Sequence, residues 1–269
     1  MARQAKQDVV AALGRAQDMI YDAWEAPTVK GRIDLARKAL EVSPLCADAY
    51  VMLAQHAKPD SDEALELWRG GVDAGKTALG RDFAELAGEF WGFLETRPYM
   101  RARFGLARAL WTRGARDEAI GHLREMLKLN PNDNQGVRYI LAAFLVETGA
   151  EAAVAALLNA YRDDASAAWV WTKALVQFRK AGDDTKSRSL LAKALADNPH
   201  APAYLTGERA MPKRLPGMYS PGGEDEAILF VLEYGAGWRE TPGAIDWLRA
   251  QSSAAPPPKI KAKPRNLQH

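Results

Sequence analysis

The central part of the chain repeats its apolar residues at a step of 34 positions, and this spacing constrains the fold more than any other feature. Ala119 and Ala153 stand one step apart. The same step joins three further series of apolar residues: Leu123, Leu157 and Leu191; Leu106, Ile140 and Ala174; and Leu110, Phe144 and Phe178. A unit of this length holds two helices that cannot bury their apolar face alone, so neighbouring units must stack. The sequence therefore predicts a stack of helical hairpins.

A step of about 34 residues is typical of tetratricopeptide repeats. In that class, paired helices stack into a right-handed superhelical solenoid, and we expect this all-α architecture here. We place Gly114, Gly149 and Gly182 at the turns inside three hairpins, because glycine adopts a left-handed backbone at little cost. Ser61 is expected to cap a helix of an earlier hairpin.

The repeat spacing and the local composition divide the chain into five predicted segments. From Pro44 to Pro131 the distance is 87 residues, which is not a multiple of the repeat, so a segment is inserted between them. Phe83, Phe90 and Leu94 lie at helical spacing there and predict a buried linking helix. The segments are divergent N-terminal hairpins at 1–79, the inserted helix at 80–99, three regular repeats at 100–201, a Pro/Gly-rich loop with a helical cap at 202–251, and a disordered basic tail at 252–269.

The composition is typical of a soluble protein, and we expect a cytoplasmic location. Hydrophobic residues make up 48% of the chain and charged residues 26%. No apolar run approaches the roughly 18 residues of a membrane span, and the N-terminus lacks the apolar core of a signal peptide. The net charge is only +2, and four of the cations fall in an acid-free final stretch, which argues against a general nucleic-acid binder. Cys46 has no partner for an internal disulfide and is expected to be a small buried residue.

Residues 70–77, GGVDAGKT, match the phosphate-loop pattern G-x-x-x-x-G-K-[ST]. That chemistry needs a strand before the loop and a helix after it, so that backbone N–H groups converge on the phosphates. The preceding residues, SDEALELWR, have helical periodicity instead. We therefore interpret 70–77 as part of a helix, with nucleotide binding as the less favoured alternative.

The sequence offers no metal site, no cofactor site and no catalytic group. Asp163–Asp164 and Asp183–Asp184 fall in predicted turns, where short carboxylates accept local backbone hydrogen bonds. The histidines are too scattered to place two metal ligands on one helix face: His56, His122, His200 and His269. We expect a protein that is not an enzyme and needs no cofactor.

Several strings go beyond a generic repeat, above all FWGFLETRPYMRARFGLARALWTRGARDEAIGHL at 90–123, LKLNPNDNQGVRYILA, NPHAPAYLTG and TPGAIDWL. Over roughly residues 20–250 the chain resembles bacterial tetratricopeptide proteins grouped with the suppressor-of-tumorigenicity family, some of which carry SEC-C zinc motifs. The resemblance implies a helical repeat fold, protein binding and no established catalytic activity. This chain departs from the SEC-C-bearing members, because one cysteine cannot build that zinc site.

In tetratricopeptide repeats the first helix of each hairpin lines a concave groove, which identifies the candidate partner-binding residues. Arginine pairs with carboxylates in a two-toothed geometry, and aromatic faces hold an extended chain at low entropic cost. The groove is therefore hypothesised to bind an acidic segment or a C-terminal carboxylate of a partner protein. The candidates occupy equivalent positions of the first helices: Arg101, Phe104, Arg108, Arg138, Tyr139, Trp169 and Lys173.

Other interpretations of these residues stay open. The arginines are either ligand contacts or ordinary charges that face solvent or pair with acids of a neighbouring helix, such as Glu95 or Glu118. The Asn130–Gln135 turn is interpreted as structural, because Asn and Asp side chains accept backbone hydrogen bonds in turns. The predicted function is a scaffold or adaptor that binds protein. Its first rival is nucleic-acid binding through the groove arginines and the basic tail, with a steep salt dependence.

Overall fold

The computed structural model describes residues 2–254, so most of the predicted basic tail, residues 255–269, lies outside the described residues. Within 2–254 the chain is helical throughout and has no strand, which confirms the predicted all-α class. The α-helices are α1 Ala2–Glu25, α2 Val29–Val42, α3 Ala47–His56, α4 Asp62–Leu79, α5 Asp82–Glu85, α6 Arg97–Thr112, α7 Arg116–Leu129, α8 Val137–Glu147, α9 Glu151–Ala160, α10 Ala167–Ala181, α11 Thr185–Asp197, α12 Ala201–Leu205, α13 Glu224–Glu240 and α14 Ala244–Ala254.

The chain forms two compact units, Met1–Leu141 and Ala142–His269, and the boundary between them falls inside the segment 100–201. The turns of the three central hairpins are closed by glycines with left-handed backbones. Gly114, Gly149 and Gly182 have φ angles of 81°, 68° and 66°, as the sequence predicted.

In the first unit the long helices α1, α2, α3, α4, α6 and α7 pack on one another in chain order, and the first helices of consecutive hairpins also touch one another. The consecutive contacts run α1–α2, α2–α3, α3–α4, α4–α6 and α6–α7, and the further contacts are α1–α3 and α3–α6. At the N-terminal end, Ala16, Ile20 and Ala23 of α1 are fully buried against Ala36 and Ala39 of α2. These small residues allow the first two helices to approach closely.

The contact between α4 and α6 depends on glycines. A methyl group at Gly71 would lie 3.0 Å from the Ala102 side chain, and one at Gly75 would lie 2.9 Å from the Tyr99 side chain and 3.0 Å from its backbone. Both glycines are buried in the middle of α4. On α6, the space that a methyl group would need at Gly105 is filled by the ring of Trp68. The glycines therefore set how closely the two helices pack.

The prediction of one continuous buried helix at 80–99 is wrong. The structure has only the short helix α5 and a 3-10 turn, Phe90–Gly92, before α6 begins at Arg97. Gly88 has a φ of 105°, which no helix accommodates, and its N–H donates to the Leu129 carbonyl instead of a helical partner. Phe90 is buried, but Leu94 is 64% exposed, so the apolar spacing reflects two separate turns.

The second unit is built around α10 and α13. Trp171 of α10 and Trp238 of α13 are fully buried, and their ring centroids lie 5.6 Å apart in an edge-to-face arrangement. In the predicted helical cap Val231 and Trp238 are buried, whereas Leu232 is 49% exposed. Val231 and Trp238 are two helical turns apart and share a face of α13, while Leu232 is rotated away from that face.

The Arg179 guanidinium, at the C-terminal end of α10, joins four other segments of the second unit. It donates to the carbonyls of Val146 and Gly237 at 2.7 and 3.0 Å, to the Thr241 hydroxyl at 2.8 Å and to the Glu151 carboxylate at 2.9 Å. Its side chain is only 16% exposed. Arg179 therefore satisfies acceptors inside the unit.

Replacing Arg179 with Met should lower the free energy of unfolding by about 3 kcal/mol, because buried acceptors lose a charged donor. Lys180→Met is the matched control, since Lys180 is the exposed next residue and should cost less than about 0.5 kcal/mol. Urea unfolding followed by circular dichroism measures both. Equal unfolding midpoints for the two variants would contradict the role of Arg179.

Replacing Gly75 with Ala should destabilise the first unit by about 1 to 3 kcal/mol, because the added methyl group overpacks the contact between α4 and α6. Gly121→Ala tests helix propensity alone. Gly121 lies inside α7 with no atom within 4 Å of an added methyl group, so this change should stabilise by up to about 1 kcal/mol. Thermal unfolding of the two variants should therefore shift in opposite directions.

Candidate partner-binding surface

A buried carboxylate on α3 fixes one of the predicted binding residues. The Asp48 side chain is fully buried, and Arg101 of α6 donates to its two oxygens at 2.8 and 2.6 Å. Gln17 of α1 donates to the same carboxylate at 3.0 Å. Three first helices thus meet at one ion pair. For Arg101 the structure shows the pairing with an acid of a neighbouring helix that the alternative interpretation allowed, although the partner is Asp48 rather than Glu95 or Glu118.

Two exposed aromatic residues lie beside this ion pair. Tyr21 is 49% exposed and Trp24 is 41% exposed, and their ring centroids are 5.5 Å apart. The Arg101 guanidinium lies 5.4 Å from the centre of the Trp24 ring, within the range of a cation–π interaction. The sequence reasoning missed these two residues. Gln17, Tyr21 and Trp24 are spaced by four and three positions, and this helical row was the signal that could have found them.

The remaining predicted residues of α6 flank the cluster in sequence. Phe104 is half-buried, and Arg108, two turns after Arg101, is exposed. We call the set formed by Tyr21, Trp24, Arg101, Phe104 and Arg108 the α1/α6 surface. It combines accessible aromatic area with arginine, which is the composition enriched at the centres of protein interfaces.

Arg138 and Tyr139 are engaged at the start of α8. Asp133 accepts the backbone N–H groups of Val137 and Arg138 at 2.7 and 3.0 Å, and Arg138 also donates to this carboxylate at 2.9 Å. The guanidinium lies over the Tyr139 ring, 4.3 Å from its centre. Burial raises the pKa of Asp133 above its ordinary value, although these hydrogen bonds act in the opposite direction. The Asn130–Gln135 turn is therefore structural, as predicted.

Trp169 and Lys173 belong to the second unit, on α10. Trp169 has no exposed surface and packs edge-to-face against Tyr161, with ring centroids 6.3 Å apart. The expectation that Trp169 lines an accessible groove is wrong, because its position faces the core of the helix packing. Lys173 is half-buried, and its ammonium lies 3.4 Å from the Arg162 carbonyl.

The phosphate-loop pattern adopts no loop. Residues 70–77 lie within the continuous helix α4, which Ser61 caps by accepting the Ala64 N–H at 3.1 Å. In a helix the backbone N–H groups of this stretch point along the axis to carbonyls one turn earlier, so they cannot surround a phosphate. The helical interpretation of this motif, and the cap at Ser61, are confirmed.

Cys46 is fully buried, as the sequence predicted. Burial raises the pKa of its thiol to about 11, with a further contribution from the neighbouring Asp48 carboxylate. At neutral pH the thiol is protonated and is a weak nucleophile. Cys46 lies next to Asp48, beneath the α1/α6 surface, and contributes no exposed area to that surface.

The described part of the chain shows neither a metal-binding group nor a membrane-spanning element. In residues 2–254 no three His, Cys, Asp or Glu side chains are grouped so that they could hold a metal ion. No helix in this range is both long and apolar enough to cross a bilayer.

His122 is half-buried near Glu118, and burial and the nearby Arg103 lower its pKa.

The structure defines the class as an all-helical protein with packed helical hairpins and a partly aromatic, arginine-bearing surface. A family model described as ST7 protein matches residues 7–256, so the chain belongs to the ST7 family. The predicted relationship to the suppressor-of-tumorigenicity family is confirmed. The match covers both compact units.

Curated relatives agree with this assignment. The chain is 28% identical to the suppressor of tumorigenicity 7 protein-like of Bos taurus over 260 residues, which cover 86% of this chain and 46% of the relative. It is also 28% identical to the protein ST7 homolog of Caenorhabditis elegans over 279 residues, covering 87% of this chain and 50% of the relative. The chain therefore spans about half the length of the curated relatives it matches.

Replacing Arg101 with Gln should lower the free energy of unfolding by about 3 kcal/mol, because the fully buried Asp48 loses its cationic partner. Arg124→Gln is the control, because Arg124 is exposed on α7, and it should stay within about 0.5 kcal/mol of the wild type. Urea unfolding measures the difference. If Arg101→Gln matched its control, the ion pair would not be a structural element.

Proposed function

We propose that the chain is a non-enzymatic scaffold or adaptor that binds a segment of a partner protein on the α1/α6 surface. The observation that supports this function is the exposed pair of Tyr21 and Trp24 beside a fixed arginine. Tyr, Trp and Arg are enriched among the residues that carry most of the binding energy at protein interfaces. Tyr and Trp in particular bury a large area with only two side-chain torsions each. Two neighbouring aromatic rings that are exposed to solvent form an apolar patch, and such patches on a protein surface are typical of interaction sites.

The charge on this surface favours a partner segment that is apolar with an acidic flank. The Asp48 carboxylate already neutralises the charge of Arg101. Arg101 would therefore contact a partner mainly through the flat face of its guanidinium, which lies over the Trp24 ring. Arg108 is exposed two turns further along α6 and is the residue best placed to pair with a carboxylate. The sequence hypothesis had several arginines bind an acidic segment together, whereas this proposal assigns the pairing with a carboxylate to Arg108 alone.

A tetratricopeptide-like solenoid is part of the proposal. It is supported by the central hairpins at the repeat spacing and by the contacts of α3 with both α1 and α6. In such stacks the first helices line the binding face. Grouping with bacterial, SEC-C-associated members and a cytoplasmic location also stay predictions.

The test is affinity capture from a lysate of the source cells, with the recovered proteins identified by mass spectrometry. The variant Tyr21→Ser/Arg108→Glu changes two exposed side chains and leaves the Asp48–Arg101 ion pair intact. We expect it to lose a partner that the wild type retains, by at least about ten-fold if both residues contact the partner.

Arg124→Glu is the matched control, because Arg124 is an exposed arginine on the second helix of a hairpin, α7. It makes the same charge reversal away from the α1/α6 surface and should recover the partner as the wild type does. Equal recovery by all three proteins would exclude the α1/α6 surface. Loss by Arg124→Glu as well would indicate a non-specific dependence on charge, as expected for a polyanion.

A further inference from the structure

A cavity of about 440 Å³ opens in the second unit, between the start of α10 and the chain that leads into α13. It is independent of the α1/α6 surface, which belongs to the first unit. Its size lies within the range of pockets that hold small ligands. The residues that matter for its chemistry are Ser166, Asp197, Tyr219 and Glu226.

Glu226 is a buried carboxylate held only by neutral donors. It is 8% exposed, and its Oε1 accepts the Ala167 N–H at 3.1 Å. Its Oε2 accepts the Asn198 amide at 3.1 Å and the Gly222 N–H at 2.7 Å. No cationic side chain among residues 2–254 forms an ion pair with it. Three neutral N–H donors and the N-terminus of α10 stabilise the carboxylate, and a cation in the cavity would add the counter-charge that they do not supply.

The hydrogen-bonding capacity of the site is also incomplete. A carboxylate offers about four acceptor positions, and three donors reach Glu226, which leaves one position on Oε1. The Ser166 hydroxyl, which also lines the cavity, is buried and has no hydrogen-bond partner. Asp197 adds an exposed carboxylate at the rim, and the Tyr219 ring is 53% exposed there.

We propose that this cavity binds a primary alkylammonium group, presented by a small free amine or by a lysine side chain. The ammonium has three N–H donors on one compact charge, which suits acceptors on Glu226 and Ser166 at the same time. The Tyr219 ring supplies a cation–π face for the charge or an apolar wall for the alkyl chain. An anion is excluded at this place, because the N–H of Ala167 at the start of α10 already binds Glu226.

The test is an NMR titration of the whole 269-residue chain with n-butylamine, with the pH held constant. Saturable shifts are expected at the amides of Ala167 and Gly222, because both donate to the carboxylate that receives the ammonium. n-Butanol and butyrate serve as neutral and anionic controls of the same length. Butanol binding as tightly as butylamine would overturn the proposal, since the site would then recognise only the alkyl chain.

Three variants locate the ammonium. Tyr219→Ala removes an exposed ring and should weaken butylamine binding about three-fold, and Ser166→Ala should weaken it about five-fold by removing one hydrogen-bond acceptor. Glu226→Gln should abolish saturation, and its stability is checked by thermal unfolding because Glu226 also holds three donors. Unchanged affinity in both folded variants, Tyr219→Ala and Ser166→Ala, would place the amine elsewhere and refute the site.

Two further titrations separate the sources of the ammonium. Cadaverine represents a free diamine, and Nα-acetyl-lysine methylamide represents a lysine side chain within a peptide. Tighter binding of cadaverine identifies a small-molecule site, and tighter binding of the lysine derivative identifies a contact for a partner protein. Absence of saturable shifts with butylamine, cadaverine and the lysine derivative alike would refute the proposal.

Discussion

The close approach of α4 and α6 is the contact on which the first unit depends. Gly71 and Gly75 on α4 leave no room for a methyl group, because Ala102 and Tyr99 of α6 already fill that space. Each of these helices also packs on its neighbour in the chain, so the spacing between them determines where α3 and α7 lie. Gly75 is also one of the two glycines, with Gly70, that make residues 70–77 match a phosphate-binding loop in the sequence. The role of Gly71 and Gly75 is steric, because they allow two helix backbones to approach.

Internal arginines are the second organising feature. Arg101 pairs with the buried Asp48, Arg138 with the turn residue Asp133, and Arg179 with acceptors of its own unit. A guanidinium has five N–H donors and stays charged, so it can join segments that offer several acceptors. On the α1/α6 surface the exposed side chains are two aromatic residues, Tyr21 and Trp24, and one arginine, Arg108. This composition is the reason why the proposed partner segment is amphipathic and not strongly acidic.

In the second unit a buried acid, Glu226, joins segments that offer N–H donors, as the arginines join segments that offer acceptors. Glu226 draws together the start of α10, the Asn198 side chain and the loop at Gly222, and it does so with neutral donors only. A carboxylate at the N-terminus of α10 is favoured by the helix dipole, which explains how the charge is tolerated in the folded chain. The adjoining cavity is lined by the remaining acceptor position of Glu226 and by the Ser166 hydroxyl, and these are the groups of the proposed ligand site. The proposed ligand binding there and the proposed partner binding on the α1/α6 surface can be tested separately, because the residues of the two sites belong to different units.

The apolar step of 34 residues by itself determined the helical hairpins and their turns, because periodicity dictates which face of a helix is buried. Family membership was likewise readable from strings such as ETRPYMRAR. The segment 80–99 was not, because one left-handed glycine interrupts an apolar spacing that otherwise suits a helix.

Only the tertiary structure decided which charged and aromatic side chains are available. Asp48 and Arg101 are 53 residues apart, and Ala167 and Glu226 are 59 apart, so no local pattern connects them. Trp169 was predicted to line a groove and is buried, while Tyr21 and Trp24, which the sequence did not single out, are exposed. Side-chain periodicity describes a single helix, and exposure depends on how its neighbours pack against it.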